Sequence, residues 1–527
     1  AAGDTVTITS AGTIIETNAT DGDTDITADA VVLSAVNQIG NADAAETADA
    51  TADLDISAIT VSATTTADNA FINFDVNKGA ATASSVSAIT AGTAGNVRID
   101  QTDGGALTVT SATTTDGTLD VSVTAGGALT VDAATIGGAG RDIDLDTVGG
   151  GNITLGALTT AANASAADVI VDSSAAILDD DLQSTIVRAD DLDFDAQGAI
   201  GATGSGDIDT DAVTAELSAL AAGGIYVTEV DGITLDDVDT LNGNIVVTAG
   251  GDMIATDVIA GAAGAGDGNV TLRTLEAGNI TIDAVIAQDD TVTIDAFGSL
   301  NDDAAADGLD IQAATVDLDA GTGIGATTAV ELEATALSAD SASGNIDIDS
   351  TAVTGVTVTT LTTGIGTITL DQTGNQTLAI DYSETVKGGI TVNNTGADLT
   401  VTEMTAGGDL ANISLATITT GSVLIDRIAA EEDSVTITAA AAGTGSIEES
   451  AVDAAADIIA GTIDLDAPNG IGALNSIEMV GGTTIDADTT AAAAHIALSN
   501  VSDRDTTLQA ISTTGADANI TIAQAGS

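Results

Sequence analysis

Three short stretches of the chain carry Asp at alternate positions: DIDLD over Asp142, Asp144 and Asp146, DLDFD over Asp191, Asp193 and Asp195, and DIDTD over Asp207, Asp209 and Asp211. In an extended strand, alternate side chains share a face and stand about 7 Å apart. Neighbouring strands lie about 4.8 Å away, so carboxylates stacked from strand to strand would gather the oxygen ligands that Ca²⁺ takes. The acidic turns at Asp179, Asp180 and Asp181, and at Asp302 and Asp303, are candidates for the same chemistry. None of these stretches has the ligand spacing of an EF-hand loop, and the glycine-rich nonapeptide of calcium-binding β-rolls is absent. At each site a solvated acidic face with diffuse counterions is the competing reading.

Other chemistry is thinly represented. His495, in AAAAHIAL, reads as a packed or surface histidine rather than a catalytic one. The cations Lys78, Arg98, Arg141, Arg188, Arg273, Lys387, Arg427 and Arg504 are scattered singly and read as partners of nearby carboxylates, such as Asp503 and Asp505. GGAGRD (Gly137 to Asp142) and GAAGAGDG (Gly261 to Gly268) lack the Lys-Ser/Thr and the helix of a phosphate loop, so they read as turns. Paired carboxylates keep open a polysaccharide lyase or hydrolase on a β-helix. Such a site would combine them with basic residues and aromatic platforms, and Phe71, Phe74, Phe194, Phe297, Tyr226 and Tyr382 are too sparse to supply these. The expectation is therefore a protein with no catalytic site, with that enzyme as the alternative. The sequons at Asn152, Asn269, Asn279 and Asn519 are accounted for by Asn at turns, which leaves glycosylation open.

The 527 residues include 80 acidic against 8 basic ones, a formal charge of −72, with no Cys and a single Pro. A surface this negative repels phosphate backbones and anionic headgroups, which excludes nucleic acid and direct membrane insertion. Disorder is the usual consequence of such charge, yet 44% of the residues are apolar and the β-branched ones are regularly placed. The chain should fold around small aliphatic residues, with divalent cations or salt offsetting self-repulsion. An ionic extracellular or cell-surface setting is expected. Ala1 is not a Met and no apolar run could span a bilayer, which is read as a removed signal or an excerpt.

The elements that must position these residues are short alternating runs entered through Gly: GNITL at Gly151, GNIVV at Gly243, GNVTL at Gly268, GNITI at Gly278, GNIDI at Gly344, GTITL at Gly366 and GTIDL at Gly461. Alternation puts Ile, Val and Leu on a buried face and Thr or Asp on a wet one. Inward positions include Ile143, Leu145, Ile153, Leu155, Ile280, Ile282, Ile346, Ile348, Ile463 and Leu465. A longer degenerate repeat lies above this pattern, in four copies beginning near residues 1, 165, 289 and 432. Each runs through an acidic turn (IIE at Ile14, ILDDD at Ile177, LNDD at Leu300, IEE at Ile447) to an Ile-Gly dipeptide at Ile39, Ile200, Ile324 or Ile471. No Pro-rich or Ser-rich linker separates the copies, so residues 1–527 read as one continuous domain.

Strands of this composition suit an all-β parallel β-helix, a β-solenoid rod whose narrow interior is filled by stacked aliphatic residues. Two or three strands per coil give roughly 20 to 30 residues each, hence about 20 coils and a length on the order of 100 Å. The stretches GGIYVTEVDGITLDDV (Gly223 to Val238), GNIVVTAGGDMIATDV (Gly243 to Val258) and GNVTLRTLEAGNITIDAV (Gly268 to Val285) resemble the degenerate repeats of filamentous-haemagglutinin-like adhesins and giant bacterial β-strand-repeat surface proteins. The resemblance implies a right-handed parallel β-helix, secretion to the cell surface and a structural or adhesive role, with cell-surface or matrix polymers as partners. No secretion domain or terminal anchor is recognisable. The opening GDTVTITSAGTIIE (Gly3 to Glu16) is similar to DDTVTIDAFGSLNDD (Asp289 to Asp303) and EDSVTITAAAAGTGSIEE (Glu432 to Glu449), and the closing ANITIAQAGS (Ala518 to Ser527) to GNITIDAVIAQ (Gly278 to Gln288). Continuation head to tail is therefore expected, through stacked copies or a longer repeat polypeptide.

Overall fold

The structure, a computed structural model, describes residues 3–17, 23–41, 54–161, 166–261, 268–303, 308–440, 443–451, 453, 455–502 and 506–524. Among these, 46 strands follow one another with no helix. The strands pair in parallel as stacked coils, forming a β-solenoid of about 21 turns. Parallel pairing cannot be closed by a hairpin, so each strand must wait a full coil before meeting its partner. That wait can be measured at the corners. Asn152 and Ala176 bond across 24 residues, and Asn345 and Thr367 across 22.

The chain divides into two compact units, Ala1–Val270 and Thr271–Ser527. In the first, one run of in-register strands is Leu119–Val123, Ile143–Thr147, Val169–Ser173 and Asp191–Ala196, which stacks Leu119, Ile143, Val169 and Leu192. In the second, Ile346–Ser350, Ile368–Gln372, Ile390–Asn394 and Ile413–Thr417 stack Ile346, Ile368, Ile390 and Ile413. All of these aliphatics are buried, as are the ten inward positions read from the alternation. Two phenylalanines, Phe74 and Phe194, are fully buried, and the rest of the apolar core is Ile, Leu, Val and Ala with Met253, Met404 and Met479. Small side chains are what a narrow coil can hold at crystal-like packing density.

Burial along the long strand Ile280–Ala296 shows how a coil turns. Inward residues alternate until Asp283 and Ala284, which both face outward, and alternation resumes at Val285 and again at Val292 after a second outward run from Gln288 to Thr291. A doubled outward step changes the direction of the strand without ending its pairing. Three flat sides therefore come from one continuous strand.

The Gly-Asn entry to many strands has a specific role. The side-chain oxygen of Asn152 accepts the amide of Ala176 one coil later, at 3.1 Å, and Asn244, Asn279, Asn345 and Asn412 do the same for Asn269, Ser299, Thr367 and Ser434. At these corners the backbone amide has left the ladder, and the side chain satisfies it. The same position explains His495, whose Nδ1 accepts the Asn519 amide at 3.0 Å.

At the two ends of the described chain the stacking is one-sided. Thr5–Ser10 pairs with Ala30–Ala35. All five residues of Ile520–Gln524 are exposed, including Ile520 and Ile522, and that strand pairs with His495–Asn500.

Candidate functional site

Two of the three Asp-rich strands contribute to one column of stacked carboxylates. Asp146, Asp172 and Asp195 occupy one register column on three successive coils, continued by Ser218 and Asp239. The three carboxylates line a shallow open cavity of about 250 Å³ with Ser173, Ser174 and Gln197. Burial, followed by the charge of Asp172 and then Asp100, raises the Asp146 carboxyl above the usual range, and Asp172 is raised by burial and by Asp195. Asp172 was not among the candidates from sequence, because only register places it between the other two. Asp144 and Asp193 lie on the exposed side of their strands. Asp142 is a corner residue rather than a member of the strand face, and its Oδ1 accepts the Asp168 amide at 3.1 Å. Asp191 accepts the Thr214 hydroxyl, and Asp211 is held by Arg188 at 2.8 Å.

Arg98, Arg141, Arg273 and Arg427 likewise pair with Asp100, Asp116, Asp295 and Glu403. Arg504, Asp503, Asp505 and the interior of the 261–268 glycine run lie outside the described residues.

The acidic turns are built differently, and the four copies share their plan. Ile177–Asp179 pairs so that Asp179 stacks on the core residue Leu155. Asp302 stacks in the same way on Ile282, and Glu449 on Ile425. A carboxylate thus takes the register position of a buried aliphatic. The next coil brings the Ile-Gly dipeptide over this turn: Ile200 on Ile177, Ile324 on Leu300, Ile471 on Ile447 and Ile39 on Ile14. Each glycine has positive φ, +67° at Gly201, +63° at Gly325, +59° at Gly472 and +77° at Gly40. Its amide returns to the carbonyl of the residue below, at 2.8 Å from Gly201 to Ile177 and 2.9 Å from Gly325 to Leu300. This left-handed step swings the chain away, so the position above the acidic residue is not filled by the usual next aliphatic.

The acid of the turn is met by two more. In the third copy Asp302, Asp310 and Glu331 each place a carboxylate oxygen within 4.8 Å of the others, and in the fourth Glu449, Asp457 and Glu478 do so. The pairing Ile311↔Leu332 sets Asp310 opposite Glu331, and Ile458↔Met479 sets Asp457 opposite Glu478. In the first copy, Ile26↔Ile56 sets Asp25 opposite Asp55 in the same relation, with the Asp55 amide donating to Asp25 Oδ2 at 3.1 Å. In the second, Val187↔Thr210 sets Ile186 opposite Asp209, so one carboxylate of the three is replaced by an aliphatic.

Asp302 and Asp310 are 5% and 1% exposed, and Asp457 1%. Burial pushes Asp457 up to about 8, with Glu449 and Glu478 adding to the shift and a backbone hydrogen bond to Glu478 opposing it. Burial likewise holds Asp310 well above the carboxylate range. Asp179 is pushed up to about 6, mainly by burial. Beside it Asp180 closes its own turn, accepting the Leu182 amide and the Thr185 hydroxyl, while Asp181 takes φ +61° at the surface. Asp207 accepts the Thr228 hydroxyl. Asp303 is exposed beyond the third copy's cluster.

A further acidic group, Asp211, Glu229 and Asp231, has a different character. Glu229 is buried and pushed up to about 7, mainly by burial. Its oxygens are satisfied by Thr210, Ala212 and Asp231, which makes it a structural acceptor. Glu448 is another, accepting the Leu474 amide in the loop beyond Gly472 at 3.0 Å.

The fold and these clusters define a parallel β-solenoid with carboxylates built into its coils. No protein-family model, curated protein or solved structure matches the chain.

Proposed function

We propose that the chain is a structural or adhesive protein of the cell surface, in the manner of the filamentous-haemagglutinin-like adhesins, and that its coils continue head to tail from one copy to the next. A solenoid extends by repeating one coil, each supported by its neighbours, which suits a building element better than a fixed globule does. The observation that carries the reading is the in-register stacking of one coil on the next, as in Ile346, Ile368, Ile390 and Ile413. Each coil offers its strand edges as a template for another strand. A second copy would supply it through a heterologous contact that does not close. The acidic exterior suits cell-surface or matrix polymers reached through shared cations.

Electron microscopy of the purified chain over a range of concentrations tests this. Filaments that lengthen with concentration support it. Monodisperse particles at every concentration, with the Ile520–Gln524 amides protected from hydrogen exchange, overturn it. Release of new sugar ends from an acidic polysaccharide would replace it with the enzyme reading.

A further inference from the structure

We infer that the long repeat encodes an interior divalent-cation site, formed by the acid of the turn, the acid that re-enters after the loop and the acid one coil later, and that the cation is a hard one such as Ca²⁺. The inference is independent of the proposed surface role. It begins from recurrence. The loops between the first two acids read NDDAAADGLD and EESAVDAAAD, yet Asp302, Asp310 and Glu331 in one copy and Glu449, Asp457 and Glu478 in the other fall on the same three register positions. Loop sequence has drifted and the carboxylates have not moved.

Recurrence alone would fit a network of structural acceptors, as at Glu229. The difference lies in the oxygens. In the second copy Asp209 is 8% exposed and its Oδ2 has no hydrogen-bond partner, and Oδ2 of Asp179, whose carboxyl feels the Asp209 charge, has none either. Buried oxygens without partners recur at Glu331 Oε2 and Glu478 Oε2. A buried carboxylate oxygen that accepts nothing is costly, and native structures resolve such groups with a donor, a proton or an ion. A proton neutralises one carboxyl and leaves its neighbours charged. An oxygen-only set at this spacing is the chemistry of Ca²⁺ ligation, with backbone carbonyls or water completing the shell.

The copies also form a natural series, because Ile186 stands in the second copy where Asp310 and Asp457 stand in the others. That site should be the weakest of the series. The test is equilibrium dialysis of the full chain, stripped with chelator and returned to graded Ca²⁺ at fixed ionic strength, with bound metal counted. A saturable class should stand clear of diffuse binding. It should lose one ion in Asp310→Asn and one in Asp457→Asn, and gain at least tenfold in affinity for one ion in Ile186→Asp. The last variant adds a ligand rather than removing one, so it decides the matter even if the Asn variants fail to fold. Binding that is wholly suppressed by salt with no saturable class, unchanged stoichiometry in both folded Asn variants, or no gain in Ile186→Asp would each overturn the inference.

Discussion

Asp310 and Glu331 hold each other through the backbone: the Asp310 amide donates to the Glu331 carbonyl at 2.9 Å, and the Glu331 amide donates to Asp310 Oδ2 at 2.7 Å. Asp457 and Glu478 repeat both bonds at 2.8 Å. The backbone thereby fixes one carboxylate beside another, and the parallel ladder leaves neither strand free to slide apart. Proximity of like charges is imposed by register rather than tolerated at a loose surface.

Stability of the metal-stripped chain should fall as pH rises. Asp457 binds its proton up to about pH 8 when folded and releases it near 3.8 when unfolded. Between those values the native state holds more protons, so unfolding becomes easier with increasing pH. Asp179, raised to about 6, and Glu229, raised to about 7, act in the same direction. Melting followed by circular dichroism in chelator should show a lower Tm at about pH 8 than at about pH 5. A higher Tm at the alkaline end would contradict the assignment.

Asp310→Asn should change sign with calcium. Asn keeps an oxygen for the Glu331 amide and removes a buried charge, so in chelator at about pH 8 the variant should gain on the order of 1 kcal/mol. In saturating Ca²⁺ the wild type should recover and exceed it. Denaturant titrations of both chains in both buffers give the comparison, and the same ranking in each would count against a cation at this cluster.

Ile282→Asp places a second carboxylate directly beneath Asp302, in a position that is fully buried. It should cost several kcal/mol, about the largest class of single-site effect, whereas Ile282→Val should cost about 1 kcal/mol. Equal urea midpoints for the two variants would mean that the face assignment is reversed.

Gly325→Ala tests the step that opens each cluster. The glycine has φ +63°, and an added Cβ would stand 2.3 Å from the Asp347 carbonyl oxygen. Both strain and collision oppose the substitution, for a loss of about 2 kcal/mol or more. A variant with wild-type unfolding free energy would show that the Ile-Gly step is not required.

The inward face was legible because alternation is a direct image of the pleat: Ile143, Leu145, Ile280 and Ile282 could be assigned from their neighbours alone. The acidic turns were legible too, since Asp179 and Asp302 interrupt that pattern at the same point of the repeat. What they face was not. Asp310 re-enters only after a loop, and Glu331 arrives a coil later, so their meeting is a property of register that no local window contains. Aligning the copies from the acidic turn through Ile-Gly would have exposed Asp25, Asp310 and Asp457 as one column, with Ile186 as the exception. Asp142 misled for a complementary reason: it continues the alternation of DIDLD but sits at the corner, where its carboxylate serves an amide.

Crystals of the full chain grown with Ca²⁺, with anomalous differences collected at long wavelength, address the interior sites most directly. The account predicts peaks bounded by Asp302, Asp310 and Glu331 and by Glu449, Asp457 and Glu478, with a weaker one between Asp179 and Asp209. A map with no peak at either three-carboxylate cluster, at a calcium concentration that saturates binding in solution, would contradict it.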